Sequence, residues 1–275
     1  MKWGVFDSGV GGLTVVHALK ELLPDDPLDY LGDTARVPYG IRSVETVRRY
    51  AHEAAEFLAG RGADGLIVAC NTASALALDV FRDLFPGPVL GVVEPGVQEA
   101  LAATASGRIG VIGTPATIRS DAYGRRLREL RPGIEVHSAA CPLFVPLAEE
   151  GWTDGEIPAL VAERYLAPLR ARGIDALVLG CTHYPLLAAT IRAAMGPSVT
   201  LVDSAAAVAR AAAAHEGKPL AAPAGRVAPR DGGLLRPGRD RIFVTDPGGS
   251  FRGVADRFLG APLPEPEVAI LGPHA

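Results

Sequence analysis

Short apolar runs alternate with longer amphipathic ones along the chain, and this restricts the fold to a sheet of mostly parallel strands with helices on both faces. Strands are expected at Trp3–Phe6, Leu28–Leu31, Gly65–Ala69, Val89–Val93, Ile109–Ile112, Ile134–His137, Ala176–Leu179, Thr200–Val202 and Ile242–Val244. Between them, Ser43–Arg61 reads as the clearest helix: Val44, Val47, Ala51, Ala55 and Leu58 form one stripe, and Ser43 is placed to cap its start. Gly155–Arg172 and Leu186–Met195 follow the same period, with Pro158 and Pro168 disturbing the ends of the first. The Pro-, Gly- and Arg-rich stretch Gly217–Arg241 is expected to be a surface loop.

At 275 residues and 48% hydrophobic content, the chain has room for one large or two medium domains and is too apolar for disorder. Its net charge of −4, with no basic cluster, removes the usual electrostatic footprint of a nucleic-acid partner. No run approaches the roughly 20 apolar residues that span a bilayer, so no membrane association is expected. Asp7 ends the first apolar run too early for a signal peptide. Three cysteines, an odd number at wide spacings, suit reduced thiols in a cytoplasmic protein. Asn71 is the only asparagine and Gln98 the only glutamine, a depletion that fits a GC-rich genome or a hot habitat.

One internal similarity divides the chain. The segments Gly65–Thr72 and Ala176–His183 each carry an apolar strand, a small residue, a cysteine and hydroxyl-bearing polar residues. Two similar halves follow: residues 95–205 as the second, and 1–94 with the returning 206–275 as the first. In parallel α/β sheets ligands gather beyond the carboxyl ends of strands, where both Cys70 and Cys181 fall. A cysteine that also opens a helix feels its N-terminal partial charge, which favours thiolate; the competing reading of either cysteine alone is a small buried core residue. Cys141, before Pro142 and without that context, reads as structural.

Other strand ends carry polar residues too. Asp7-Ser8-Gly9 follows the first strand, with helix capping as the bland alternative. The Gly9–Gly12 run is not a dinucleotide fingerprint, because Thr14 occupies the third glycine position, and no Walker lysine follows any glycine loop. Cys181 and His183 alone are too sparse for zinc, and no metal is expected. Two cysteines on facing halves suit proton exchange at a stereocentre: one thiolate removes the α-proton from one face while the opposite thiol protonates the other. Asn71, Thr72, Thr182 and nearby backbone N–H groups are candidate donors to the carboxylate on which charge develops.

Through the segments Phe6–Val15, Gly32–Gly40, Ala69–Ala73, Cys141–Leu147 and Gly180–Pro185, the chain resembles the cofactor-independent glutamate racemases, within the wider aspartate/glutamate racemase group. The resemblance covers most of the chain. It implies two pseudo-symmetric α/β domains, each a mostly parallel sheet flanked by helices, with glutamate bound in the cleft between them. It also implies a homodimer, no cofactor, and supply of D-glutamate for peptidoglycan synthesis. By position it gives Cys70 and Cys181 as the two acid/bases, with Asp7 assisting on the Cys70 side and His183 on the Cys181 side. Asp7, Ser8, Tyr39, Gly40, Asn71, Thr72, Thr182 and His183 match its substrate contacts, and Thr114 and Thr117 are further candidates for a carboxylate. Its assisting glutamate falls in Ala148–Gly151, where spacing to Cys181 favours Glu149 over Glu150. Aspartate racemisation is the near alternative, because one methylene is worth only about 1–3 kcal/mol in a pocket. A Cys–His hydrolase built on Cys181 and His183, and a non-catalytic amino-acid-binding protein, are the readings from other classes.

Overall fold

A computed structural model describes residues 1–218, 233–249 and 251–272. Its strands are β1 (Trp3–Asp7), β2 (Leu28–Gly32), β3 (Gly65–Val68), β4 (Val89–Gly91), β5 (Arg108–Gly113), β6 (Glu135–Ala140), β7 (Ala176–Gly180), β8 (Thr200–Asp203), β9 (Arg241–Val244) and β10 (Glu267–Val268). They form two parallel sheets, one six-stranded in the order β10-β9-β2-β1-β3-β4 and one four-stranded in the order β6-β5-β7-β8. The first draws on residues 3–91 and 241–268, the second on residues 108–203.

Parallel neighbours require long crossovers, and helices supply most of them: α1 (Leu13–Leu22), α2 (Val44–Ala59), α3 (Asn71–Leu84), α4 (Val93–Ala103), α5 (Pro115–Ser120), α6 (Ala122–Leu130), α7 (Phe144–Glu150), α8 (Glu156–Arg170), α9 (Ala188–Met195), α10 (Ser204–His215) and α11 (Phe251–Leu259). β1, β3 and β7 are buried along their whole length, as expected of strands covered on both faces. One apolar cluster joins the two sheets. It contains Val5 and Ile67 from the first, Leu177 and Leu179 from the second, and Leu13, Val16, Val208 and Ala212 from the packed pair α1 and α10. Each of the valine, leucine and isoleucine side chains contributes roughly 1.5–3 kcal/mol on full burial.

Several boundaries differ from the sequence reading. The strand expected at Val89–Val93 stops at Gly91, because Val92 turns into the helical region and Val93 opens α4, whose first turn accepts Pro95. The helix expected from Leu186 begins as a 3₁₀ turn, Tyr184–Leu187, with Pro185 in its first turn, and becomes α-helical only at Ala188. Ser43 does cap α2, its side chain accepting from the Thr46 N–H at 3.2 Å, and Val47, Ala51, Ala55 and Leu58 are buried. Val44 is 44% exposed, since the first turn of α2 overhangs the core. In α8, Pro158 sits in the first turn, where a missing N–H costs little, whereas Pro168 lies inside the helix and leaves the Arg164 carbonyl without its intrahelical N–H. Much of Gly217–Arg241 lies outside the described residues; Arg241 itself belongs to β9.

Candidate active site

The carboxyl ends of β1, β3, β5 and β7 converge on one cleft between the sheets. Ser8, Tyr39, Gly40, Cys70, Asn71, Thr72, Thr114, Glu149, Cys181, Thr182 and His183 line it, together with Gly9, Val37, Pro38 and Val145. Nearly every residue expected from sequence is therefore on one wall or the other. Asp7 is not; it is fully buried beneath the cleft wall, with one carboxylate oxygen accepting the Gly9 N–H at 2.9 Å. Thr117 lies just behind Thr114, whose hydroxyl is 3.0 Å away. Cys141 is buried at the end of β6 and lies outside the lining.

Cys70 is the N-cap of α3: its Sγ accepts the Ala73 N–H at 3.5 Å and lies 3.3 Å from the Ser8 hydroxyl. The helix terminus does not dominate its acidity. Burial, and after it the Asp7 carboxylate, push the thiol up to about 12 against the Ser8 and Ala73 hydrogen bonds. The expected thiolate preference is thus reversed by desolvation. Asp7 is itself raised by burial, with the His183 charge and the Gly9 and Gly12 N–H groups opposing.

The Cys181 side is built differently. No α-helix opens at this cysteine, because the 3₁₀ turn intervenes; a side-chain array supports it instead. Cys181 Sγ is 3.7 Å from His183 Nδ1, and His183 Nε2 is 3.0 Å from Glu149 Oε1. Burial works against charge on His183, but the Cys181 sulfur and the Glu149 carboxylate outweigh it and raise its pKa to about 10. The ring also packs edge-on against Phe258, centroids 5.0 Å apart, and Arg257 of the same helix α11 donates to the Glu149 carbonyl. Between the adjacent acids, then, Glu149 faces His183 and the cleft.

The remaining lining is held by hydrogen bonds within and between the halves. Thr72 Oγ1 is 2.9 Å from Thr114 Oγ1 and 3.2 Å from Thr117 Oγ1. Tyr39 donates to Asp33, which Arg36 clamps through its Nε at 2.9 and 2.7 Å. Glycines let backbone segments approach closely here. A Cβ on Gly11 would lie 2.2 Å from Thr182 Oγ1, one on Gly12 2.4 Å from Asp7 Cβ, and one on Gly40 2.6 Å from Thr114 Cβ. Thr14, at the third glycine position, sets its hydroxyl 3.1 Å from the Thr182 carbonyl.

Asn71 departs from expectation. Its Nδ2 donates to the Tyr123 hydroxyl at 2.7 Å, so the amide donor expected for a substrate carboxylate is already engaged. Tyr123, Ser204 and Phe258 support the site without any local sequence signal, whereas Val37, Pro38 and Val145 stood inside segments already singled out.

The family model for Asp/Glu/hydantoin racemases matches residues 13–212. A glutamate racemase of Geobacter metallireducens is 51% identical over 270 residues, covering 96% of this chain and 95% of that one. A glutamate racemase of Syntrophus aciditrophicus is 48% identical over 262 residues, 95% of this chain and 93% of that one. Among solved structures, the glutamate racemase of Francisella tularensis in complex with D-glutamate superposes with a TM-score of 0.84 at 36% identity, covering 98% of this chain and 97% of that one. Similar in sequence and in structure across nearly its whole length, this chain belongs to the Asp/Glu/hydantoin racemase family.

Proposed function

We propose that this protein interconverts L- and D-glutamate by proton exchange between two cysteines, without a cofactor. The observation that carries the reading is that Cys70 and Cys181 line one cleft from opposite sheets, each with its own polar support. One sulfur, as thiolate, takes the α-proton; the other, as thiol, gives its proton to the opposite face of the carbon. The enzyme then holds one thiol and one thiolate with their places exchanged, and the reverse reaction restores them. Thr72, Thr182 and the backbone N–H groups at the strand ends answer the charge that grows on the carboxylate. His183, held by Glu149, supplies or receives a proton at Cys181; Asp7 and Ser8 assist at Cys70. Ser8, Tyr39, Gly40, Thr72, Thr182 and His183 are proposed substrate contacts. Glutamate is favoured over aspartate because relatives sharing about half of the sequence are glutamate racemases.

The wider reading has further parts: domains at 1–94 with 206–275 and at 95–205, supported by which strands join which sheet; a cytoplasmic homodimer; and D-glutamate supply for peptidoglycan. Exposed Trp152, Ile157 and Leu160 offer an apolar face for the dimer, which sedimentation would detect. Among the described residues, no helix is long and apolar enough to cross a membrane.

Purified protein free of pyridoxal phosphate should racemise either antipode in deuterium oxide and place deuterium at the α-carbon of the product. Cys70→Ala and Cys181→Ala should each lose about a hundredfold or more of turnover, and full activity of either variant would overturn the two-thiol scheme. A second reading has one observation in its favour: Cys181, His183 and Glu149 stand in the order of a nucleophilic hydrolase array. Activity that survives Cys70→Ala and yields a hydrolytic product would establish it instead.

A further inference from the structure

Asn71, the only asparagine in the chain, sits in the cleft with its amide nitrogen committed elsewhere. Nδ2 reaches across to the other half, to the Tyr123 hydroxyl at 2.7 Å and Ser204 Oγ at 3.4 Å. The direction of this chain of hydrogen bonds is fixed from its far end. The Leu179 carbonyl only accepts, so the Ser204 hydroxyl, 2.8 Å away, gives its proton there. Ser204 Oγ is then an acceptor toward Tyr123, 3.3 Å away, and toward Asn71. The Tyr123 phenol, pushed up to about 12 by burial, keeps its proton. Facing an oxygen with only lone pairs to offer, the carboxamide presents its NH₂. Oδ1 is the atom left over, buried and without a hydrogen-bond partner among the described residues. A buried acceptor left in that state is unfavourable, so a ligand that brings a donor is rewarded. A carboxylate brings none; an ammonium brings three.

We propose that Tyr123 and Ser204 are positioning residues that hold the Asn71 carboxamide with its oxygen toward the substrate, where it accepts from the α-ammonium and selects amino acids over plain dicarboxylates. This rests on the glutamate reading, which wild-type turnover of glutamate tests by itself. The positioning is read from the side-chain amide spectrum of nitrogen-labelled protein, where Asn71 and Gln98 supply the only carboxamide pairs. Glutamate should shift the Asn71 pair in the wild type. Glutarate, which has both carboxylates and no ammonium, should leave it in place.

In Tyr123→Phe the Asn71 pair should lose protection from solvent exchange. KM for both antipodes should rise about fivefold to tenfold with kcat within about twofold, and inhibition by glutarate should not change. Should that variant fail to fold, Ser204→Ala carries the same pattern at smaller amplitude. The proposal is overturned if glutarate moves the Asn71 pair as far as glutamate does, or if the variant weakens glutamate and glutarate alike, the mark of a general loosening. If wild type fails to turn over glutamate while Tyr123→Phe still releases the Asn71 pair, the substrate reading fails and the positioning stands.

Discussion

Cys181 and Glu149 grip opposite nitrogens of the His183 ring, and their combined pull sets a measurable pH window. The folded-state pKa, about 10, lies above the ordinary histidine value of about 6.5. The stability this lends is therefore complete below about pH 6.5 and is lost as pH rises through about 10. Glu149→Gln should lower the melting temperature most between about pH 5 and 7, by the equivalent of about 0.5–1 kcal/mol given the half-exposed carboxylate. The difference should shrink as the pH passes about 10; parallel melting profiles across that range would contradict the assignment. Cys70, Cys181 and His183 were legible in sequence because they stand at strand ends, where chemistry gathers, whereas Glu149, in α7, was legible only through the family resemblance. The supports of Asn71 were not. Tyr123 lies in ordinary helical sequence, and Ser204, although it follows β8 directly, stands in an alanine-rich run with no partner in view; only the fold brings both to the amide.

At the scale of elements, the glycine run between β1 and α1 decides how closely the halves meet. Gly11→Ala would drive a methyl group to 2.2 Å from Thr182 Oγ1 and 2.6 Å from the His183 ring. It should destabilise the fold by about 1–3 kcal/mol and lower kcat/KM by about tenfold to a hundredfold through the displaced histidine. Ser43→Ala, by contrast, removes the cap of α2 far from the cleft. It should lose about 1 kcal/mol in denaturant titration with kinetics unchanged. Sequence periodicity placed most strands within a residue or two, since runs such as Gly65–Val68 and Ala176–Gly180 are apolar throughout. It failed after Cys181, where Pro185 suits the first turn of either kind of helix, and at Val92, whose β-branched side chain reads as strand although its backbone has already turned.

At the scale of the whole molecule, the two sheets share one apolar core through α1 and α10. Unfolding should accordingly be a single transition. Ellipticity, which reports all elements, and the emission of Trp3, buried in β1, should change together in urea; separated midpoints would show that the halves melt independently. The two thiols nevertheless keep unlike company, a helix N-terminus and Ser8 for one, an imidazole and a carboxylate for the other. Mirror-image substrates have equal free energies in water, so the equilibrium constant between them is unity and kcat/KM must be the same in both directions. The lopsided construction of the cleft can therefore appear only as unequal kcat and unequal KM whose ratios agree. A substitution on one side, Glu149→Gln included, must slow both antipodes equally at low substrate concentration, while at saturation the two directions are free to diverge.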